Sequence, residues 1–146
     1  MPIVVHWYNP EKTIVRWSFT DPWTVREFLN AEQIATSTRE EVSHLVWHVL
    51  DFTEAIRLPR GIIRQLPELN QLNQPHDNHA MPTVIVGSSG LVRGFIATFA
   101  KIYGGISLVE TLSDAESVIA QAKLRYEQPA GRVELHQELE GKPHAN

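Results

Sequence analysis

The sequence predicts an α/β protein in which helices cover a five-stranded, mostly parallel sheet. Apolar segments rich in β-branched residues alternate with segments of helical periodicity along most of the chain. Two of the extended segments, residues 44–50 and 83–86, are apolar at nearly every position, which is typical of strands buried on both faces of a sheet. The 146 residues match the length of one domain with its own core.

A β-hairpin is predicted at the start of the chain. Residues 2–7 and 12–19 are rich in β-branched and aromatic side chains, as strands are. Asn9 and Pro10 lie between them, and this pair favours a turn. The first strand is then an edge of the sheet, where a second copy of the chain could pair with it as a homodimer.

The next segment predicts a helix over about residues 22–36. Asp21 can accept hydrogen bonds from the free amides of a first turn, and Pro22 suits the first helical position. Apolar residues follow at helical spacing, at Val25, Phe28, Leu29 and Ala35. We expect the four tryptophans to build the core where the hairpin, this helix and the central strand meet, or to line a pocket or dimer surface: Trp7, Trp17, Trp23 and Trp47.

The middle of the chain predicts a strand, a helix and a loop. The apolar segment 44–50 is the strand, and it runs into Asp51. A helix is expected over about residues 58–71, and Pro67 should bend it because proline lacks a backbone donor. Residues 70–82 are polar and bounded by prolines, which is typical of a loop.

The second half of the chain predicts two further strand–helix units. Residues 83–86 form the first strand, and a helix over about residues 90–103 follows with one apolar face, made of Leu91, Phe95, Ile96, Phe99 and Ile102. Gly104 and Gly105 end that helix, because glycine tolerates the left-handed conformation found there. A strand over residues 106–110 precedes a helix that begins at a capping box of Ser113 and Glu116 and ends near Tyr126.

The composition excludes several classes of protein. The chain has no Cys, which rules out disulfides, thiolate metal sites and a Cys nucleophile. A net charge of −4 argues against a nucleic-acid partner. Because no apolar run is long enough to span a membrane and the first residues do not resemble a signal peptide, we expect no membrane span and a cytoplasmic location. One domain is expected over residues 1–126, followed by a mobile polar tail over residues 127–146.

Three stretches resemble the SpoIIAA-like superfamily, which includes the STAS domains. The central strand closes in Val49-Leu50-Asp51-Phe52-Thr53, similar to the Leu-Asp-Leu-Ser of STAS domains. Residues 83–87 are similar to the family's next strand, and residues 106–119 to its last strand and closing helix. The resemblance covers roughly residues 12–125. It implies a five-stranded mixed sheet, in which an N-terminal β-hairpin precedes alternating helices and strands, and a regulatory role. We expect no cofactor and no metal.

The chain departs from this family at its phosphorylation switch. Many bacterial anti-sigma antagonists of the family carry a phosphorylatable Ser in an Asp-Ser-Ser-Gly stretch after the central strand. Counted from Asp51, that stretch falls on residues 59–62, and Arg60 stands at the acceptor position. Thr53 precedes this position and does not match it. The resemblance therefore implies the wider superfamily, which includes lipid-binding proteins, without the Ser phospho-switch.

Two segments are candidates for an anion site. Arg57, Arg60 and Arg64 are spaced three and four residues apart, so on a helix they would share one face. Together they would bind a phosphate or carboxylate, the alternative being a solvated face. The Gly-rich segment 87–94 begins a helix, where free amides favour anions, the alternative being a structural turn. Parallel strands end at one rim of a sheet, so we expect these segments to meet. The candidate binding residues are Asp51, Thr53, Arg57, Arg60, Arg64, Ser88, Ser89 and Arg93.

The histidines do not predict a metal site. His76, Asp77 and His79 lack further convergent ligands, so we expect them in a solvent-exposed loop. His44 and His48 would lie about 13 Å apart on one strand, which is too far for one metal ion. We expect these two to be packed or hydrogen-bonded core histidines.

A non-enzymatic cytoplasmic module that binds another protein or itself is the function expected from these observations. The turn at residues 87–90 has two residues between its glycines, whereas a nucleophile elbow has three, so no hydrolase is predicted. The expected binding surface comprises residues 51–64 and 87–94. The alternative is a binding protein or sensor for a small anionic or lipid-like ligand, held by Arg57–Arg64 and Gly87–Gly94.

Overall fold

The structure is a computed structural model that describes residues 2–65, 67, 78–87 and 90–127. Within these residues, five strands form one sheet in the spatial order β1-β2-β3-β4-β5, and three helices pack on it. The strands are β1 (Ile3–Trp7), β2 (Ile14–Thr20), β3 (Trp47–Glu54), β4 (Thr83–Val86) and β5 (Ile106–Val109). The helices are α1 (Val25–Arg39), α2 (Gly90–Tyr103) and α3 (Leu112–Glu127).

The sheet is mixed, as predicted. β1 is antiparallel to β2, whereas β2, β3, β4 and β5 run parallel to one another. The predicted hairpin and the mostly parallel sheet are therefore confirmed. β3 begins three residues later than expected and continues to Glu54, because it pairs with β2 from Ile14↔Trp47 to Thr20↔Glu54. That pairing, and not the apolar run alone, sets the limits of the central strand.

Side chains that alternate along the strands create two separate cores. On the first face of the sheet, Trp17, Phe19, Leu50 and Phe52 pack with buried residues of α1 and α2. On the second face, strand residues such as Val49 and Val84 pack with the α3 residues Ala115, Ile119 and Ala122. The parallel crossovers all step in one direction across the sheet, so right-handed connections place α1 and α2 on the same face. The helix that follows β5 covers the other face.

Helix α1 begins later than predicted because a different residue caps it. Thr24 accepts a hydrogen bond from the Glu27 backbone N–H, and the Glu27 side chain accepts one from the Thr24 backbone N–H. Asp21, the predicted cap, instead accepts hydrogen bonds from the backbone N–H groups of Ile56 and Arg57. It therefore ties the segment after β3 to the start of α1.

The predicted capping box of α3 is wrong. The Thr111 hydroxyl accepts a hydrogen bond from the Asp114 backbone N–H at 3.0 Å, so the helix starts at Leu112. Glu116 does not reach back to the helix start but accepts a hydrogen bond from the Tyr8 hydroxyl. The expected tail lies outside the described residues, apart from Glu127, which ends α3.

The segment after β3 does not begin a helix at residue 58, as was predicted. Residues 55–62 contain no helix, and a single 3-10 turn follows at Ile63–Gln65. Pro59 lacks a backbone donor, and Gly61 has a φ of +75°, so neither residue supports an α-helix here. Pro67 is helical, but residues 66 and 68–77, which include the rest of the predicted helix and part of the predicted loop, lie outside the described residues.

Helix α2 has the predicted bounds. Val92 and Ile96 are buried, and Phe95 is partly buried against the first core. The side chains of Leu91, Phe99 and Ile102 lie outside the described part of the structure. Across the described residues, no helix combines the length and apolar character needed to cross a membrane.

Candidate functional site

A cavity lies between the first face of the sheet and the helices on that face. The centres of water-sized molecules have about 80 Å³ of room in it, several times what a single water molecule needs. The strands supply its floor, through Trp17, Leu50, Phe52, Ile85 and Ile106. Its walls come from the helices and the segments that flank them, through Trp23, Phe28, Ile62, Phe95 and Ile96. Most of the lining is therefore aromatic or aliphatic.

The aromatic side of the cavity is a set of rings in mutual contact. Phe52 stacks on Phe19 with their centroids 4.0 Å apart, and Trp23 meets Phe19 edge to face at 5.1 Å. Phe28 from α1 lies 5.3 Å from the ring of Trp17. These contacts fix the rings by packing on several sides, so the wall is formed before any ligand enters.

The tryptophans divide between the two cores. Trp17 and Trp23 build the first core, as predicted. Trp47 points to the second face, where it meets the Tyr126 ring edge to face at 5.9 Å. Trp7 is half-buried and donates a hydrogen bond to Glu41. The expectation that all four meet in one core is therefore wrong for Trp47, because its position along β3 has the opposite parity to Leu50 and Phe52.

Polar side chains gather at one end of the cavity. Glu32 and Arg39 come from α1, and the two residues are seven positions apart, so they lie on one helix face. His48 comes from β3, Thr83 opens β4, and His79 precedes that strand. The sheet and α1 thus bring together five groups that are far apart in the sequence.

Arg39 is the most deeply buried charged residue of this group. Its side chain is 2% exposed, and its Nη1 lies 3.1 Å from Nε2 of His48. Within the described part of the chain, its Nε and Nη2 have no hydrogen-bond partner, and no carboxylate lies within 4.0 Å of it. Burial lowers the pKa of the guanidinium, whereas Glu32 and Glu40 raise it. Arginine remains protonated in proteins, so the cavity contains a buried positive charge.

The ring of His48 lies between two hydrogen-bond donors. The indole Nε1 of Trp17 donates to Nδ1 of His48 at 3.2 Å, and the Arg39 guanidinium faces Nε2. Indole and guanidinium groups only donate, whereas a neutral imidazole has one accepting nitrogen. The ring can therefore accept from one of these neighbours at a time, which leaves an excess of donors. The ring of His79 packs against His48 with centroids 4.7 Å apart.

Glu32 is the acidic group at this end of the cavity. Burial raises the pKa of its carboxyl to about 7, although a hydrogen bond from the Thr36 hydroxyl and the charge of Arg39 act to lower it. Near neutral pH the carboxyl is thus close to half protonated. Its protonated form offers one more donor to the cavity.

Asp51 lies on the second face of the sheet, away from this cavity. It is 3% exposed, and its Oδ2 lies 2.6 Å from Nη2 of Arg16, which also donates through Nε. Its Oδ1 accepts a hydrogen bond from the backbone N–H of Thr53, whose side chain is exposed. The structure therefore places this predicted binding residue in a buried ion pair between neighbouring strands.

The three predicted arginines do not share a helix face. Arg57, Arg60 and Arg64 are all exposed, but the backbone from Arg57 to Arg60 is not helical. Arg93 donates a hydrogen bond to the carbonyl of Gly87 at 2.8 Å. Ser88 and Ser89 lie outside the described residues. The two predicted segments do follow neighbouring parallel strands, since Asp51 pairs with Val86, so they leave the sheet at the same rim.

The predictions for the histidines are partly wrong. His48 is a buried, hydrogen-bonded core residue, as expected, but His44 is exposed with its Nε2 2.8 Å from the Lys12 carbonyl. His79 does not lie in an exposed loop; it is partly buried and lines the cavity, because its backbone forms a parallel bridge with Val46. His76 is outside the described residues. Among those that are described, no group of three His, Asp or Glu is placed to hold a metal ion.

Sequence reasoning did not single out Glu32, Arg39 or Thr83. The spacing of residues along α1 did carry a signal for Glu32 and Arg39. Val25, Phe28 and Ala35 mark the buried face, and Glu32 and Arg39 continue the same stripe at steps of three and four residues. Charged residues inside an apolar helix stripe indicate a buried polar site, so this pattern predicts polar groups beneath α1.

Comparison with known proteins gives this chain no relative. No family model, no curated protein and no solved structure matches it. The function is therefore argued from the cavity itself.

Proposed function

We propose that this protein binds a small molecule with a largely apolar body in the cavity between the sheet and helices α1 and α2. The observation that carries the proposal is an open cavity with aromatic and aliphatic walls and, at one end, a buried guanidinium that has no carboxylate partner among the described residues. This develops the ligand-binding alternative from the sequence, but with a different site. The ligand lies under α1 and α2 and not at the exposed arginines of the rim.

Packing energetics support an apolar occupant. Protein interiors are normally filled to the density of organic crystals, and an unfilled void loses the dispersion contacts of the side chains around it. An apolar ligand restores those contacts and leaves water, with a gain of roughly 25 cal/mol for each Å² of apolar surface buried. The rings of Trp17, Phe28 and Phe52 offer flat apolar surface for such a molecule.

A SpoIIAA-like fold and a regulatory role belong to the same proposal. The N-terminal hairpin, the parallel order of β2 to β5 and the closing helix α3 support the fold. A ligand in the cavity would connect to a regulatory role if its binding changed the surface at residues 51–64, where Ile62 lines the cavity. Phosphorylation of Ser is not part of the proposal, because Arg60 stands at the acceptor position.

Self-association through β1 is a second candidate. β1 is an edge strand of the sheet, and Val4 on it is 47% exposed. Val4→Lys should then lower the apparent mass in sedimentation equilibrium relative to the parent chain. An unchanged monomeric mass for both proteins at high concentration would remove this candidate.

The binding proposal is tested by filling the cavity. Ile96 lines the cavity from α2 and is buried, so Ile96→Trp should occupy part of the space. Leu124→Trp adds the same ring to an exposed position of α3 and is the matched control. Circular dichroism establishes that both variants are folded.

Binding of decanoate, decanol and decylamine is then measured by the rise in Tm and by titration calorimetry. We expect at least one of these compounds to bind the parent chain and the Leu124→Trp control, and to bind the Ile96→Trp variant about tenfold more weakly or worse. The proposal is wrong if none of the three compounds binds, or if the two variants bind equally well.

A further inference from the structure

The polar end of the cavity has more hydrogen-bond donors than acceptors. Arg39 offers Nε and Nη2, and the Thr83 hydroxyl has no partner among the described residues. Both residues line the cavity, and their exposed fractions are 2% and 7%. Buried donors are nearly always satisfied in folded proteins, so these atoms indicate an acceptor that the described residues do not supply.

The unfilled atoms of Arg39 form one edge of the guanidinium. Nε and Nη2 carry parallel N–H groups, which match the two oxygens of a carboxylate. The same chain uses this edge elsewhere, since Arg16 donates to Asp51 through its own Nε and Nη2. At Arg39 the third nitrogen, Nη1, is directed at His48, which leaves the Nε–Nη2 edge for a ligand.

We infer that the ligand is an amphiphilic carboxylate, whose head group accepts hydrogen bonds from Nε and Nη2 of Arg39 while its apolar chain lies along the aromatic wall. The inference rests on the proposed function and adds the chemistry of the head group. Thr83 opens β4, where the next residue pairs with the residue after His48, and its free hydroxyl supplies a further donor to the head group. The buried positive charge then gains the counter-ion that the described residues do not provide.

Glu32 completes the selection of an anion. Of the acidic groups that raise the pKa of Arg39, Glu32 has the larger effect, and burial favours the neutral form of its carboxyl. A neutral Glu32 does not repel a carboxylate and can donate a hydrogen bond to it. When Glu32 is protonated, Arg39 is therefore available to the ligand. When Glu32 is ionised, its carboxylate competes with the ligand for Arg39.

The head-group preference is measured with three ligands that share one alkyl chain. Decanoate, decanol and decylamine are titrated into the full-length protein at pH 6. We expect decanoate to bind about tenfold more tightly than decanol, and decylamine to bind most weakly because its ammonium group faces Arg39.

Arg39→Met keeps the length of the side chain and removes both the charge and the donors. In this variant we expect decanoate to lose its advantage while decanol binds within about twofold of its parent affinity. Arg39→Lys keeps the charge without the paired donors, so it should retain part of the preference and serves as a second variant if Arg39→Met does not fold. Arg26→Met changes an exposed arginine of the same helix and should change none of the affinities.

The outcomes separate this inference from the proposed function. If none of the three compounds binds, the cavity is not a ligand site and the proposed function fails. If decanol or decylamine binds as tightly as decanoate, or if Arg39→Met weakens all bound compounds equally, the cavity binds apolar molecules but the carboxylate assignment is wrong.

Discussion

Glu32 and Arg39 lie two turns apart on one face of α1 and both line the cavity, yet their charged groups do not form an ion pair within 4.0 Å. The rest of this face, at Val25, Phe28 and Ala35, packs against the sheet. A carboxyl and a guanidinium are thus held in an apolar setting without neutralising each other directly. This arrangement accounts for the raised pKa of Glu32 and for the unfilled donors of Arg39.

The first prediction concerns the pH dependence of stability. The carboxyl of Glu32 has a pKa of about 7 in the folded chain, against an ordinary value of 4.5. The folded state therefore binds more protons than the unfolded state between these values, so this group stabilises the fold below pH 4.5 and loses its contribution as the pH rises through 7. Glu32→Gln should remove this loss and make the protein about 1–3 kcal/mol more stable than the parent chain at pH 8.

Urea unfolding at pH 5 and pH 8 measures this difference. The matched control is Glu110→Gln, because Glu110 is an exposed acidic residue outside the helices. The control should follow the pH dependence of the parent chain. An identical pH dependence for Glu32→Gln and the parent chain would show that Glu32 titrates normally in the folded state.

The second prediction concerns the pH dependence of ligand binding. As the pH rises from 6 to 8, Glu32 ionises, competes for Arg39 and repels a bound carboxylate, so the affinity for decanoate should fall by several-fold to about tenfold. His48 also contacts Arg39, His79 packs against His48, and Glu40 acts on Arg39 from the end of α1.

Glu32→Gln isolates the contribution of Glu32. Calorimetric titrations across this pH range should give a nearly constant decanoate affinity in the variant. Decanol binding should not change with pH in either protein. A slope as steep in Glu32→Gln as in the parent chain would mean that Glu32 has no part in head-group binding.

The third prediction concerns the Arg16–Asp51 pair. Asp51 is buried on the second face of the sheet, whereas about a quarter of the Arg16 side chain is exposed. Asp51→Asn should lower the free energy of unfolding by roughly 1–3 kcal/mol, less than for a fully buried pair because water reaches the arginine. Decanoate affinity, corrected for the folded fraction, should remain within about twofold of the parent value. A large loss of affinity in the folded variant would show that Asp51 takes part in ligand binding.

The fourth prediction concerns the arginines at the rim. Arg60 and Arg64 are exposed and do not share a helix, so they have no common geometry for holding an anion. The double variant Arg60→Ala/Arg64→Ala should bind decanoate within about twofold of the parent chain, since exposed charges contribute little. A tenfold loss in this double variant, with Arg39→Met unaffected, would place the anion at the rim and not in the cavity.

The sequence predicted the fold better than the site, and the reason is visible in particular elements. β4 and α2 have the expected bounds because their apolar patterns are clear and are ended by Gly or Pro. The start of β3 was predicted too early because the apolar run begins before the strand, and only its pairing with β2 shows where the strand starts. Local patterns thus identify elements, whereas long-range pairing fixes their limits.

The site was missed because its polar groups look ordinary in the sequence. Arg39 is the kind of basic residue that commonly ends a helix, and Glu32 is a common helix residue. His79 lies in a polar, proline-bounded stretch, and only its bridge to Val46 brings it to the cavity. Their shared burial depends on how α1 lies over β3 and β4, which no local pattern contains.

A crystal structure of the protein grown with decanoate tests the carboxylate site most directly. We predict that the carboxylate oxygens lie within about 3 Å of Nε and Nη2 of Arg39, with the alkyl chain between Phe28 and Phe52. Decanoate bound only at the exposed arginines, with the cavity beneath α1 and α2 empty or collapsed, would contradict it.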